Sequence, residues 1–301
     1  MAQTYDLTKG KTTPIILKFF FPMLLTNMLQ QVYTIADTMI VGKGLGDDPL
    51  AAVGNMSSLT FFIIGFSMGL TNGFSVSIAQ DYGAKNINQL RRSVAASIML
   101  SGIITVILTA ISVIFLRPVL VLLQTSDIIM SDSLLYGYII FGGLFTTIAY
   151  NLCASILRAL GDSKTPFISI VVSTVFNIVF NWVSIYIFHM GVEGPAAVTI
   201  LSQIISAAIC YAKLRKIEAI RLSAEHFRDN FRISLDLLKN GIPMAIMNSI
   251  TAVGCMTVQY FVNEMGVAFT SAFSACSKYI NLFIQPACTA GITMSSFTSQ
   301  N

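Results

Sequence analysis

Residues 14–42 read PIILKFFFPMLLTNMLQQVYTIADTMIVG. A helix needs about 20 apolar residues to cross a hydrocarbon core about 30 Å thick, and this run is longer than that. It is also too long for the core of a signal peptide, and no small-residue cleavage pattern precedes it, so the expectation is a retained first span. Seven further stretches of the same kind follow, at about 54–81, 93–116, 133–159, 166–189, 195–214, 237–263 and 267–298. They are too long, and alternate too little, to be the strands of a barrel. Across the 301 residues 54% are hydrophobic and 11% charged, and the mean hydropathy is +0.74. That balance excludes a disordered chain, a nucleic-acid-binding protein and an ordinary cytosolic enzyme. It leaves an all-α, polytopic transmembrane bundle.

The loops orient it. With the N-terminus in the cytoplasm and the spans alternating, fifteen of the eighteen lysines and arginines fall at inside ends. Only Lys43 and Arg117 fall outside, and Lys278 lies within the eighth span. Such a bias sets topology. The five cysteines all sit in apolar runs and read as small buried hydrophobes rather than a disulfide framework. His189 and His226 stand apart with no partner at ligand spacing, so no metal site is expected from them.

Segment 213–236 carries mixed charges and divides the chain. On its two sides a short pattern repeats: Ile16-Leu17-Lys18-Phe19-Phe20-Phe21-Pro22-Met23 and Leu237-Leu238-Lys239-Asn240-Gly241-Ile242-Pro243-Met244, with the same Lys-to-Pro spacing. Both copies open a span after an inside segment, so the repeat is parallel. The expected organisation is a cytoplasmic tail (1–12), an amino-terminal six-helix lobe (13–215), an inter-lobe linker (216–236) and the start of a second lobe with two helices (237–301).

Polar groups inside spans are expensive, and they cluster. A charge near the bilayer centre costs on the order of 3 kcal/mol on insertion scales. Asp37 stands about two-thirds of the way along the first span. It persists there only if paired, solvated or protonated, which makes it a candidate proton or ion site. Asn27, Gln30, Gln31, Thr34, Asp37 and Thr38 recur at three- and four-residue steps and form one polar stripe. The fifth span has a second stripe, Ser169, Ser173, Asn177, Asn181 and Ser184. The sixth has Thr199, Ser202, Gln203 and Ser206. Facing lipid, these amides and hydroxyls would lose water without replacement, so they are expected to face each other or a wet cavity. Gln30, Gln31, Thr34, Ser173, Gln203 and Lys278 are the cavity-lining candidates. The serines and threonines of the third span read as interhelical glue. Pro22 removes a backbone hydrogen bond and is a candidate kink or hinge. Gly161-Asp162-Ser163-Lys164-Thr165-Pro166 reads as a capping turn. Gly42, Gly44 and Gly46 end a transmembrane helix without a preceding strand, which excludes a phosphate loop.

Several of these stretches resemble the multidrug and toxic compound extrusion (MATE) transporters, in their bacterial and archaeal branch. The matching motifs are LKFFFPMLLTNMLQQVYTIADTMIVGKGLG with LAAVG, AQDYGAK, LRALGDSKTP, FNIVFNWVSIYIFHMGVEGPAAVTILSQ and LLKNGIPMAI. Together they span nearly everything beyond about residue 12. The resemblance implies twelve helices in two six-helix lobes around a central cavity. It implies export of an organic, often cationic compound in exchange for protons or sodium ions, without enzymatic activity or a cofactor. Asp37 corresponds to the acidic residue of the first helix, Pro22 to the kink proline, Asn177 to the asparagine of the fifth helix and Thr199 to a hydroxyl of the sixth. Asn181 stands where many members carry an aspartate, and residues 248–254 lack the glutamate that some sodium-coupled members carry. Both departures favour a proton over Na+ at Asp37. The expected partners are a small organic substrate and membrane lipid, with no nucleic acid and no obligate protein partner. A monomer at full length in the bacterial cytoplasmic membrane is expected. Ser299-Gln300-Asn301 matches the usual end of the eighth helix, so the chain reads as truncated there. The competing readings are a lipid or lipid-linked saccharide flippase, for which Lys278 alone is a poor cationic lining, and an inactive fragment or scaffold.

Overall fold

Backbone amides in hydrocarbon find no water, so a spanning chain must satisfy them within its own helices. The computed structural model, which describes residues 12–123, 125–228, 230–264 and 267–301, is built on that rule. Its α-helices are α1 (Thr12–Leu45), α2 (Asp47–Gly83), α3 (Ile87–Leu122), α4 (Asp127–Gly142), α5 (Leu144–Ala159), α6 (Lys164–Tyr186), α7 (Glu193–Leu214), α8 (Phe231–Glu264) and α9 (Val267–Gln300). No strand occurs among the described residues. Among the described residues, five helices (α1, α2, α3, α6 and α7) are long and apolar enough to cross a membrane.

The fourth expected span, at 133–159, is not one continuous helix. It is a broken pair, α4 and α5, bent by 44°. The break falls at Gly143, where a β-carbon would come within 2.4 Å of Ile200 Cδ1 on α7. Glycine leaves room there for the Ile200 side chain, and the helix is broken at the same point. The linker is also shorter than expected. It holds two 3-10 turns (Glu218–Ile220 and Ala224–Phe227), and α8 begins at Phe231 rather than 237. The first turn is held to α3 by Arg91, whose guanidinium donates to the carbonyls of Ala219 and Glu218, both at 3.1 Å.

Asp162 starts α6. Its Oδ1 accepts the backbone N–H groups of Lys164 (3.1 Å) and Thr165 (3.0 Å), and its Oδ2 accepts the Thr165 hydroxyl (2.7 Å). These bonds satisfy amides that have no partner inside the helix. At the same end Ile78, Leu90, Leu157 and Leu160 form one apolar core; Met56, Leu116, Leu120 and Phe141 form a second at the other end.

Helices α8 and α9 dock on the first unit with small residues. A β-carbon on Gly69 of α2 would lie 2.5 Å from Ala245 Cα, and one on Gly73 would lie 2.4 Å from Gly241 Cα. Small residues let two membrane helices approach this closely, where dispersion and polar bonds replace the hydrophobic effect. Polar bonds flank the crossing: Asn240 Nδ2 donates to Ser77 Oγ (2.9 Å) and Asn248 Nδ2 to the Gly65 carbonyl (3.1 Å). On the other side Phe19 and Met23 of α1 pack on Ile292 and Phe297 of α9. Asn27 Nδ2 donates to Thr289 Oγ1 (2.8 Å), and Gln300 Nε2 donates to the Ala159 carbonyl. Apart from the Asn248–Gly65 bond at mid-helix, these contacts lie in the half of the bundle next to the basic loops. In the opposite half of α1, Val32 is 52% exposed and Met39 59%.

Candidate functional site

The polar stripes of α1 and α6 face each other. Asn177 and Asn181 are one turn apart on α6 and both are fully buried. Asn181 Nδ2 donates to Asp37 Oδ1 (2.5 Å) and to Asn177 Oδ1 (3.0 Å). Asn177 Nδ2 donates to the Tyr33 hydroxyl (3.3 Å), and that hydroxyl donates to Thr199 Oγ1 on α7 (3.2 Å). The four residues expected to hold an ion, Asp37, Asn177, Asn181 and Thr199, thus belong to one hydrogen-bonded chain across three helices. An ionised carboxylate only accepts, so the Asn181 amide must turn its NH2 toward Asp37. Its Oδ1 is then left buried without a hydrogen-bond partner among the described residues. A carboxylate beside a free amide oxygen is chemistry suited to one proton or one small monovalent cation.

Tyr33 is the member that the sequence reading missed. In an apolar helix a tyrosine passes for packing. The available signal was its place one turn before Asp37, which puts both side chains on one face. Substituting Tyr33→Phe keeps the ring and removes the link. Asn177 and Thr199 then lose their shared partner, at a cost of about 1–3 kcal/mol for a buried donor left unpaired. A lower thermal midpoint in detergent is the expected result, and an unchanged midpoint would show that the link carries no weight.

The other candidates sit around this chain without joining it. Ser173 is buried one turn before Asn177 and donates to the carbonyl of Ile170. Gln203 lies one turn beyond Thr199 on α7, half-buried, and its Oε1 is also without a partner among the described residues. Gln30 and Gln31 are half-buried on α1. Thr34 is exposed, and its hydroxyl donates to the Gln30 carbonyl of its own helix. The α1 stripe therefore splits, with Asp37 turned to α6 and Asn27 to α9. Pro22 lies inside α1, and the Thr26 hydroxyl donates to its carbonyl (2.8 Å). The side chain of Lys278 lies outside the described residues.

This constellation, two buried amides bonded to a half-buried carboxylate, bears on what kind of protein the chain is. The MatE family model matches residues 22–183, more than half of the chain. The chain belongs to the MatE family. Two Bacillus subtilis (strain 168) proteins are similar to it along nearly its whole length. Probable multidrug resistance protein YoeA is 31% identical over 98% of the chain, and Probable multidrug resistance protein YpnP 29% identical over 99%. The chain spans 66% and 67% of those two relatives. A solved structure of a multidrug resistance MATE family transporter of the MOP superfamily, in an outward-facing conformation, matches with a TM-score of 0.89. The match covers 97% of this chain and 65% of that one at 24% identity, a likeness that speaks to the fold. As a MatE member the chain is a polytopic helical membrane protein.

Proposed function

We propose that the chain forms the ion-binding lobe, and part of the second lobe, of a multidrug exporter that exchanges an organic, often cationic compound for protons. The observation that carries this reading is the hydrogen-bonded chain Asp37–Asn181–Asn177–Tyr33–Thr199. It holds one carboxyl group, and the bonds around it respond to that group's charge. The names of the two Bacillus relatives support the multidrug substrate class. A single carboxylate with amide neighbours supports a proton as the coupling ion, because a sodium site gains from a second anionic ligand.

Coupling to substrate follows from one long helix. Asp37 and the α9-facing residues Phe19, Met23 and Asn27 share α1, and the ten residues from Asn27 to Asp37 span about 15 Å at 1.5 Å per residue. When Asp37 takes a proton, its pull on the Asn181 amide weakens and α1 is released from α6 at that end. Pro22, where the helix lacks one backbone bond, is the place for α1 to bend. That bend lies within the stretch that clasps α9, so proton uptake and the contact between the two units move together. In this reading the contacts at the basic end close the pathway to the cytoplasm while the other end is open.

Two experiments test it. In energised vesicles an imposed pH gradient alone is expected to drive efflux of a fluorescent lipophilic cation; dependence on an imposed sodium gradient instead would overturn proton coupling. Asn27→Cys with Thr289→Cys, in a background without the native cysteines, tests the moving contact. A short thiol cross-linker across that pair is expected to stop efflux, and reduction to restore it. Full efflux with the cross-link in place would show that α1 and α9 do not need to part.

A further inference from the structure

A cavity of about 650 Å³ lies away from the Asp37 chain, at the basic end of the first unit, between α3, α5, α7 and the turn that follows α7. Its walls are apolar: Val94 and Ile98 from α3, Leu152 and Ile156 from α5, and Leu214 from α7. Its rim is charged, with Arg215, Arg221 and Glu218. Both arginines are exposed and form no ion pair among the described residues. The rim is held in place: Ile217 and Ile220 are buried in the adjoining core, and Arg91 clamps the carbonyls of Glu218 and Ala219. Ile98 is 40% exposed and Tyr211 57%, so the apolar part opens sideways, toward the surface a bilayer covers.

We infer that this cavity binds one anionic phospholipid from the leaflet at the basic end of the bundle. The chemistry fits at both ends of such a molecule. An acyl chain entering past Ile98 replaces lipid contacts with wall contacts at no cost in exposed apolar surface. The phosphate meets two guanidiniums, whose forked donors match phosphate oxygens. Basic pockets between membrane helices on this side are sites for anionic head groups. Glu218 sets a limit on the ligand. One carboxylate in the rim opposes a highly charged head group but accepts hydrogen bonds from the hydroxyls of a glycerol head group. Phosphatidylglycerol is therefore the probe of choice.

The test uses the purified protein, exchanged into equimolar phosphatidylglycerol and phosphatidylcholine and then examined by native mass spectrometry. Wild-type protein is expected to retain one phosphatidylglycerol in preference to phosphatidylcholine. Arg215→Gln with Arg221→Gln is expected to lower that retention roughly thirtyfold, the loss of two basic residues near a charged leaflet. Arg228→Gln with Arg232→Gln removes the same charge at the end of the linker and the start of α8, outside the cavity, and is expected to leave retention unchanged. Ile98→Trp fills the acyl entrance without touching charge and is expected to lower it. Thermal unfolding in phosphatidylcholine micelles checks that each variant is folded. Equal loss in the two double variants would mean diffuse surface charge rather than a site and would overturn the inference. So would equal retention of both lipids by the wild type, or full retention by the Arg215→Gln, Arg221→Gln protein.

Discussion

Vesicles containing Asp37→Asn protein are expected to lose gradient-driven efflux down to the level of vesicles without the protein, while the variant inserts and folds as well as the wild type. The substitution keeps the shape of the side chain and its acceptor oxygen toward Asn181, so the helix pairing of α1 and α6 survives. What it removes is the only carboxyl group in the hydrogen-bonded chain. A charge near the bilayer centre costs on the order of 3 kcal/mol, so the neutral amide is expected to leave the thermal midpoint in detergent equal to or above that of the wild type. The two readouts together separate a coupling role from a structural one. A variant that is stable and inactive fits the proposal. A variant that exports at the wild-type rate would refute it, because no other carboxylate belongs to that chain of bonds.

The second large effect is expected at the crossing of α2 and α8. Substituting Gly73→Ala places a methyl group 2.4 Å from Gly241 Cα and 2.6 Å from the Asn240 carbonyl oxygen. Both are backbone atoms in a helix and neither can rotate away, so the helices must separate. Overpacking of this kind costs about 1–3 kcal/mol, and more when the strain spreads. Separation also pulls Asn240 from Ser77 and Asn248 from the Gly65 carbonyl, so the penalty extends beyond one contact. Gly65→Ala, two turns earlier on α2, is the matched control: nothing lies within 4 Å of a β-carbon there. Alanine is the better helix former by about 1 kcal/mol, so the control is expected to be neutral or stabilising. Thermal unfolding of the pair in one detergent decides the matter. Equal midpoints would mean that α8 is not held on α2 by close backbone approach.

The relation between the two sites has a mechanical consequence. Export by alternating access requires the two units to part at one end as they meet at the other. The glycine crossing, the Asn27–Thr289 bond and the Gln300 bond to the Ala159 carbonyl gather at the basic end. The Asp37 chain lies toward the opposite end of α1. In the proposed mechanism a proton arriving at Asp37 would act on the closed contacts through the length of a helix rather than by touching them.

Much of this protein was legible without coordinates. Hydropathy is a local property, summed over one segment, and lipid leaves that segment no alternative to a helix; residues 14–42 alone established the kind of fold. The cost of burying a carboxylate singled out Asp37, and the i, i+4 spacing of Asn177 and Asn181 put two amides on one face of α6. Other features needed the packed molecule. Whether the α1 stripe points to α6 or to α9 depends on how the helices are rotated against each other, and it splits between them. Tyr33 became part of the site only because Asn177 and Thr199 meet on either side of its hydroxyl. The break falls at Gly143, where the side chain of Ile200, 57 residues further along the chain, leaves no room for a β-carbon. Sequence determined which segments enter the membrane and which polar groups they must carry inside. The tertiary structure decided which of those groups meet, because that depends on contacts between residues far apart in the chain.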